Sequence, residues 1–197
     1  MKVDVPEVKI HDSVKLPASK TCIIVVDMQN DFVNPKGKLF VSSAAKTIPA
    51  IKKLLEKARE HNVKVFYTMD THMKDDIEFK IWGEHTVENT WGWQIVDELK
   101  PNENDIIVRK LRYDGFFGTP LDHLLRIHGI ENVIIVGTVA NICVLHTAGS
   151  AALRGYKIIV PVDGISALNE FDYYLSLRQI EFLYRGTLTK VDNITFT

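Results

Sequence analysis

Residues able to do covalent chemistry stand where runs of apolar residues end: Asp27, Asp70, Lys110 and, just past another such run, Cys143. A thiol, a carboxylate and an ammonium form a coherent set for acyl transfer. The cysteine attacks, the carboxylate carries protons, and the cation holds both in the right charge state. Cys143 closes the segment Gly137-Thr-Val-Ala-Asn-Ile-Cys143, which reads as a strand passing into a helix. The positive end of a helix favours a thiolate, and main-chain N–H groups in such a turn suit an oxyanion hole. Cys22 lies within an apolar run and reads as a small buried hydrophobe. His146 follows Cys143 by one helical turn, but its companions Val144, Leu145 and Ala148 suggest an inward-packed face, so it reads as a structural histidine. His11, His61, His123 and His128 read as surface residues.

A second group has the chemistry of metal ligands. Asp70-Thr-His72 puts two donor side chains at i and i+2, on one side of an extended chain. Trp82-Gly-Glu-His85 supplies a third. One aspartate and two histidines with open positions suit zinc, and the same set suits non-haem iron(II). Taken alone, Asp-x-His is better explained by a polar loop bonded to itself.

These residues need elements to position them. Thr21 to Asp27, Val63 to Met69, Asp105 to Lys110, Asn132 to Thr138, Lys157 to Val162 and Thr187 to Val191 read as strands. The apolar runs among them suit parallel strands buried on both faces. Helical spacing fills Ala44 to His61, Leu121 to Ile127, about Asn141 to Leu153 and Tyr173 to Tyr184. The alternation predicts an α/β fold, a doubly wound, mainly parallel six-stranded sheet with helices on both faces, as one domain over residues 1–197. With strand order 3-2-1-4-5-6, the first and fourth strands are neighbours and Asp27 can meet Cys143. Ligands bind at the carboxyl ends of such strands. The long irregular stretch Asp70 to Trp93 is of a length that is usually functional.

Composition excludes several classes. A net charge of -1, with basic and acidic residues interleaved, argues against nucleic acid as a partner. Two cysteines make no disulfide framework. Met1 to Lys20 has no apolar core of a signal peptide, and no run suits a membrane span, so the expected setting is a reducing cytoplasm. No G-x-G-x-x-G follows the first strand, where Met28-Gln-Asn-Asp31 stands, which argues against a dinucleotide oxidoreductase.

Three segments together carry a family resemblance. Asp27-Met-Gln-Asn-Asp-Phe32 resembles the entry motif of the isochorismatase-like cysteine hydrolases. Val108 to Asp122 resembles the segment of their catalytic lysine. Gly137 to Val144, with Thr147-Ala148 and Val162-Asp163, resembles their nucleophile segment. The resemblance implies catalytic Asp27, Lys110 and Cys143. It also implies a cis peptide at Thr138–Val139, with an oxyanion hole from the N–H groups of Val139 and Cys143. Position for position, Asp70, His72 and His85 resemble the metal site of the nicotinamidase branch, where the ion holds a pyridine nitrogen. Zinc is the first choice there, with iron or manganese as alternatives. Gly83 and Glu84 stand where that branch usually has two prolines, Leu111 replaces a glycine and Asn141 an aspartate.

The expected reaction is hydrolysis of a small nicotinamide-like amide through a thioester. Asp27 takes the thiol proton, Lys110 stabilises the ionised pair, and Phe32 and Trp82 wall the pocket. The resemblance further implies a homodimer or homotetramer. The rivals are an isochorismatase-type vinyl-ether hydrolase, a carbamoyl-amide hydrolase, and a binding protein that kept the fold.

Overall fold

The computed structural model describes residues 4–197, so the first three residues of the expected domain and of the Met1 to Lys20 segment lie outside the described residues. The central strand, β3 (Thr21–Val26), is buried at all six positions. Its side chains feed two cores by simple alternation. Ile23 and Val25 join one core, and Cys22, Ile24 and Val26 the other.

In chain order the strands are β1 (Ile10–His11), β2 (Val14–Leu16), β3, β4 (Lys64–Asp70), β5 (Ile106–Lys110), β6 (Asn132–Thr138), β7 (Lys157–Pro161), β8 (Ile165–Ser166), β9 (Thr187–Thr189) and β10 (Ile194–Phe196). The main sheet runs β1-β9-β7-β6-β3-β4-β5, with β8 on β6. Every pairing among these strands is parallel. The six long-range strands therefore take the expected order, and β3 sits between β6 and β4. Two short strands, β1 and β8, enlarge the expected six to eight, and β2 with β10 form a separate parallel pair. These additions are only two or three residues long, too short to show a period in sequence.

The helices are α1 (Asn30–Val33), α2 (Ile48–Glu60), α3 (Phe79–Trp82), α4 (Leu121–Ile127), α5 (Leu145–Leu153) and α6 (Glu170–Phe182). From α2, Ile51, Leu54, Leu55 and Ala58 pack on one face of the sheet, while buried residues of α4, α5 and α6 pack on the other. Two boundaries differ from the sequence reading. The first turn of the Ala44 helix is 3-10, and the α-helix begins at Ile48, with Pro49 in its first turn where a missing N–H costs nothing. Helix α6 begins three residues early, because Asn169 Oδ1 accepts from Asp172 N–H at 2.9 Å and caps it. No helix among the described residues is long and apolar enough to cross a membrane.

At the carboxyl edge, Gly137 lets β6 approach β3. Its φ is +118°, and a Cβ there would collide with the Val26 backbone. The stretch Asp70 to Trp93 is tied down by α3 and by bridges pairing His72 with Val87 and Gln29 with Ile95.

Candidate active site

Four strand ends deliver the reactive groups. Asp27 leaves β3 with φ +49°, a conformation uncommon outside glycine and one often found at functional sites. Lys110 ends β5, Asp70 ends β4, and Cys143 follows β6. The turn around Cys143 is a single π-helical turn, Ala140–Val144, ahead of α5. The Val144 N–H reaches back five residues to the Val139 carbonyl at 3.2 Å. The Thr138–Val139 peptide is cis. Among the described residues, the Val139 N–H donates to no other protein group, while Val139 itself lines the cavity in front of Cys143.

Lys110 is the hub. Its Nζ lies 2.8 Å from Asp27 Oδ2, 3.0 Å from Asp70 Oδ1 and 3.7 Å from Cys143 Sγ, and the residue is only 2% exposed. The Asp27 contact is a charge contact off the line of a good hydrogen bond, so Oδ2 keeps capacity for a proton. Oδ1 of Asp27 accepts from Thr68 Oγ1 at 2.8 Å.

Burial raises the Asp27 carboxyl; Lys110 pulls it back down and Asp70 pushes it up. For Asp70, burial is outweighed by Lys110 and the two histidines, which hold it well below the usual carboxylate range. Burial works to lower the Lys110 ammonium, but Asp27 and Asp70 outweigh it and hold it protonated. Burial drives the Cys143 thiol well up; Lys110 opposes and the two carboxylates reinforce. The balance favours the thiol, the form from which the expected transfer of its proton to Asp27 starts. One cation already faces two carboxylates here, and a thiolate would be a third negative charge in a dry site. Cys143 thus rests on the thiol side of this balance, with a carboxylate beside it.

The second group also converges. Asp70, His72 and His85 are joined by Glu78, all buried, with donor atoms within 4.8 Å of one another. The histidines are oriented from behind. His72 Nδ1–H donates to Asp76 Oδ2 at 2.9 Å and His85 Nδ1–H to the Gly83 carbonyl at 2.8 Å. In their neutral forms both rings then aim an Nε2 lone pair at Asp70 Oδ2, at 3.1 and 3.3 Å. Burial lowers the His72 pKa, yet Asp70 and Asp76 outweigh it and the net shift is upward. Burial and Asp70 raise Glu78. Two carboxylates and two lone pairs facing one point fit a divalent cation, and the ring N–H partners behind them are the usual outer support of such a site.

Cys143 from the first group and Asp70, Glu78 and His85 from the second line one cavity of about 250 Å³. Phe32 and Trp82, the expected walls, line it, as do Phe40, Tyr113 and Ile142. The indole Nε1–H of Trp82 donates to Tyr113 Oη at 2.7 Å. His146 is exposed, contrary to expectation, because its Nδ1–H bonds back to the Ile142 carbonyl at 2.7 Å and the ring leans on Tyr113. Cys22 is fully buried in β3, away from the cavity.

The Isochorismatase domain model matches residues 21–192. A ureidoacrylate amidohydrolase, RutB, of Agrobacterium fabrum is 35% identical over 159 residues, covering 68% of this chain and 70% of that protein. Among solved structures, the N-carbamoylsarcosine amidase of Thermoplasma acidophilum superposes with a TM-score of 0.82 at 36% identity, over 88% of this chain and 97% of that one. A pyrazinamidase/nicotinamidase of Streptococcus mutans superposes with a TM-score of 0.81 at 28% identity, over 85% and 99%.

The chain belongs to the isochorismatase family.

Within this isochorismatase domain, the sequence reading missed the groups that hold the site in place. Gln29 pins the Asp70 backbone, accepting from its N–H at 2.8 Å and donating to its carbonyl at 2.8 Å. Asp31 accepts from the Thr86 N–H at 2.7 Å, beside His85. Both lie in the segment Met28 to Asp31, so their proximity to Asp27 was the available signal. Glu78 sits in a run of loop charges with no period to mark it.

Proposed function

We propose that this chain is a cysteine amidohydrolase that releases ammonia from a small, uncharged heteroaromatic amide of the nicotinamide kind. One observation carries the reading: Cys143, with Asp27 and Lys110 buried behind it, lines the same aromatic-walled cavity as Asp70, Glu78 and His85 of the donor cluster. Asp27 accepts the Cys143 proton as sulfur attacks the amide carbon. Lys110 offsets the negative charge that the step leaves between them. The oxyanion takes the N–H groups of Val139 and Cys143. Asp27 then returns the proton to the departing nitrogen, so ammonia leaves and the acyl group stays on sulfur. Water, deprotonated by Asp27, hydrolyses that thioester to the acid and frees the thiol.

Asp70, His72, Glu78 and His85 would hold a divalent cation, with zinc ahead of iron or manganese for this donor set, and it would supply an electrophilic anchor for a ring nitrogen. Phe32 and Trp82 would sandwich the ring. We further propose a homo-oligomer in a reducing compartment, the cytoplasm. The support for assembly is the exposed stripe Phe171, Tyr174, Leu175 and Phe182 along α6.

A carbamoyl or ureido amide is the second reading, favoured by the names of the relatives. The test is ammonia release from nicotinamide and from N-carbamoylsarcosine, by the wild type and by Asp27→Asn. We expect turnover of nicotinamide that falls by at least about a thousandfold in Asp27→Asn, whose side chain cannot carry the proton. Full activity in that variant overturns the mechanism, and turnover of the carbamoyl amide alone overturns the substrate.

A further inference from the structure

One charged pair at the cavity mouth is used by neither set. Lys38 lines the cavity, and among the described residues it is the one lysine or arginine that does. Its ammonium is ion-paired to Glu84 Oε1. The backbone beneath the pair is built for this placement. The buried carboxylate of Asp31 accepts from the Lys38 N–H through Oδ1 at 3.1 Å and from the Thr86 N–H through Oδ2 at 2.7 Å. One side chain thus ties together the two loops that carry Lys38 and Glu84. Gly37 locks the first loop further, since a Cβ there would meet the carbonyl oxygens of Asn30 and Asp31.

We infer that Lys38 is a specificity-determining residue, and that Glu84 occupies it so that the mouth favours uncharged amides over carboxylate-bearing ones. This rests on the amidohydrolase reading above. An amide with a carboxylate remote from its carbonyl must find a cation, and the other ionisable groups lining the cavity include Asp70 and Glu78. Lys110 lies buried behind Asp27 and Asp70, committed to both. Among the chain's own side chains Lys38 is therefore the available cationic partner, and Glu84 competes for it. The two side chains are about half exposed, at 52% and 56%. Exposed pairs of this kind hold weakly, so removing Glu84 leaves a cation free to turn to a ligand. Discrimination then comes from a repelling charge set against the wrong substrate, a device that costs the right substrate nothing.

The test uses Glu84→Gln, Lys38→Met and the double variant, with two readouts. The first is the ratio of kcat/KM for N-carbamoylsarcosine to that for nicotinamide. The second needs no turnover: the ratio of Cys143 alkylation rates by iodoacetate and by iodoacetamide, mapped by mass spectrometry. Glu84→Gln should raise the ratios about 2- to 5-fold, the size of one exposed charge. Lys38→Met should lower them, and the double variant should lose the gain. An unchanged alkylation ratio in Glu84→Gln, or a gain that survives in the double variant, overturns the inference. If neither amide is hydrolysed while the alkylation ratio shifts as stated, the substrate reading fails and the charge filter stands.

Discussion

Replacing Glu78 by Gln should move two measurable quantities in opposite directions. In the metal-free protein, Glu78 is a carboxylate with 4% exposure whose donor atom lies within 4.8 Å of that of Asp70. Two like charges at that separation repel by ~3 kcal/mol at an effective dielectric near 20. His72, His85 and Arg112, whose Nη1 is 3.6 Å from Glu78 Oε2, offset most of this. A residue of ~1 kcal/mol remains, so Glu78→Gln should raise the melting temperature of the stripped protein by about 2–4 °C. The sign follows from the raised pKa of Glu78. The native state binds its proton more tightly than the unfolded chain, so the group stabilises the fold below its unfolded pKa and that contribution is lost as pH rises through the folded one. The gain in the variant should be present at neutral pH and vanish toward pH ~4, where Glu78 is protonated in either state. With a divalent cation present, the same substitution removes one of two ligating charges. We expect a Kd for zinc weaker by roughly 100-fold, the equivalent of ~3 kcal/mol. Scanning calorimetry of chelator-stripped protein and titration with zinc read the two effects separately. Unchanged zinc affinity, or a lower melting temperature in the stripped variant, would refute the assignment of Glu78 to the cation site.

Two further outcomes are expected. Cys143→Ala should abolish turnover with the fold intact while Cys22→Ala retains it; and because burial holds the Cys143 thiol well above its usual pKa, alkylation by iodoacetamide should still be accelerating at pH ~9, so a plateau reached near neutrality would contradict the charge balance given for the site. Light scattering at micromolar concentration should give a multiple of the chain mass, reduced by Phe171→Glu with Phe182→Glu; a single chain mass for the wild type would remove the proposed assembly.

Much of this architecture was legible because parallel strands buried on both faces leave an unmistakable trace. Thr21 to Val26 is apolar or small at every position, and the same holds for most of Asn132 to Thr138. The right-handed crossover rule then orders such strands with little freedom, which is why Asp27, Asp70, Lys110 and Cys143 could be assigned to one edge. What failed to show was anything set by loop geometry or by depth. Glu84 is adjacent to His85 in sequence, yet it turns to Lys38, and the acid that joins the histidines is Glu78, seven residues earlier. The direction of the Cys143 pKa is hidden for a related reason. A helix end is visible in sequence, but a count of the charges already sharing one buried lysine is not. The neighbours Val144, Leu145 and Ala148 point His146 inward on a regular helix, but the π-helical turn at Ala140–Val144 shifts the phase of the helix that follows.

The two halves of the site are mechanically one unit, and a single turn makes them so. Leaving β3, Asp27 faces the thiol and Lys110, Gln29 holds the Asp70 backbone on both its N–H and C=O sides, Asp31 binds the backbones of Thr86 and Lys38, and Phe32 forms the cavity wall. Asp70 then divides its two oxygens. Oδ1 meets Lys110 at 3.0 Å, and Oδ2 faces His72, His85 and the Thr86 hydroxyl. No covalent link joins Cys143 to the donor cluster, yet the Asp70 carboxylate within that cluster is hydrogen-bonded to the lysine beside the thiol. Buried networks of this kind tolerate little displacement, since each group moved leaves a partner unsatisfied in a medium without water. The Gln29 side chain hydrogen-bonds to the backbones of Asp70 and Trp93, not to Cys143 or the histidines. A substitution there should nonetheless disturb both, because it frees the one residue on which the thiol's lysine and the cluster's imidazoles are aligned.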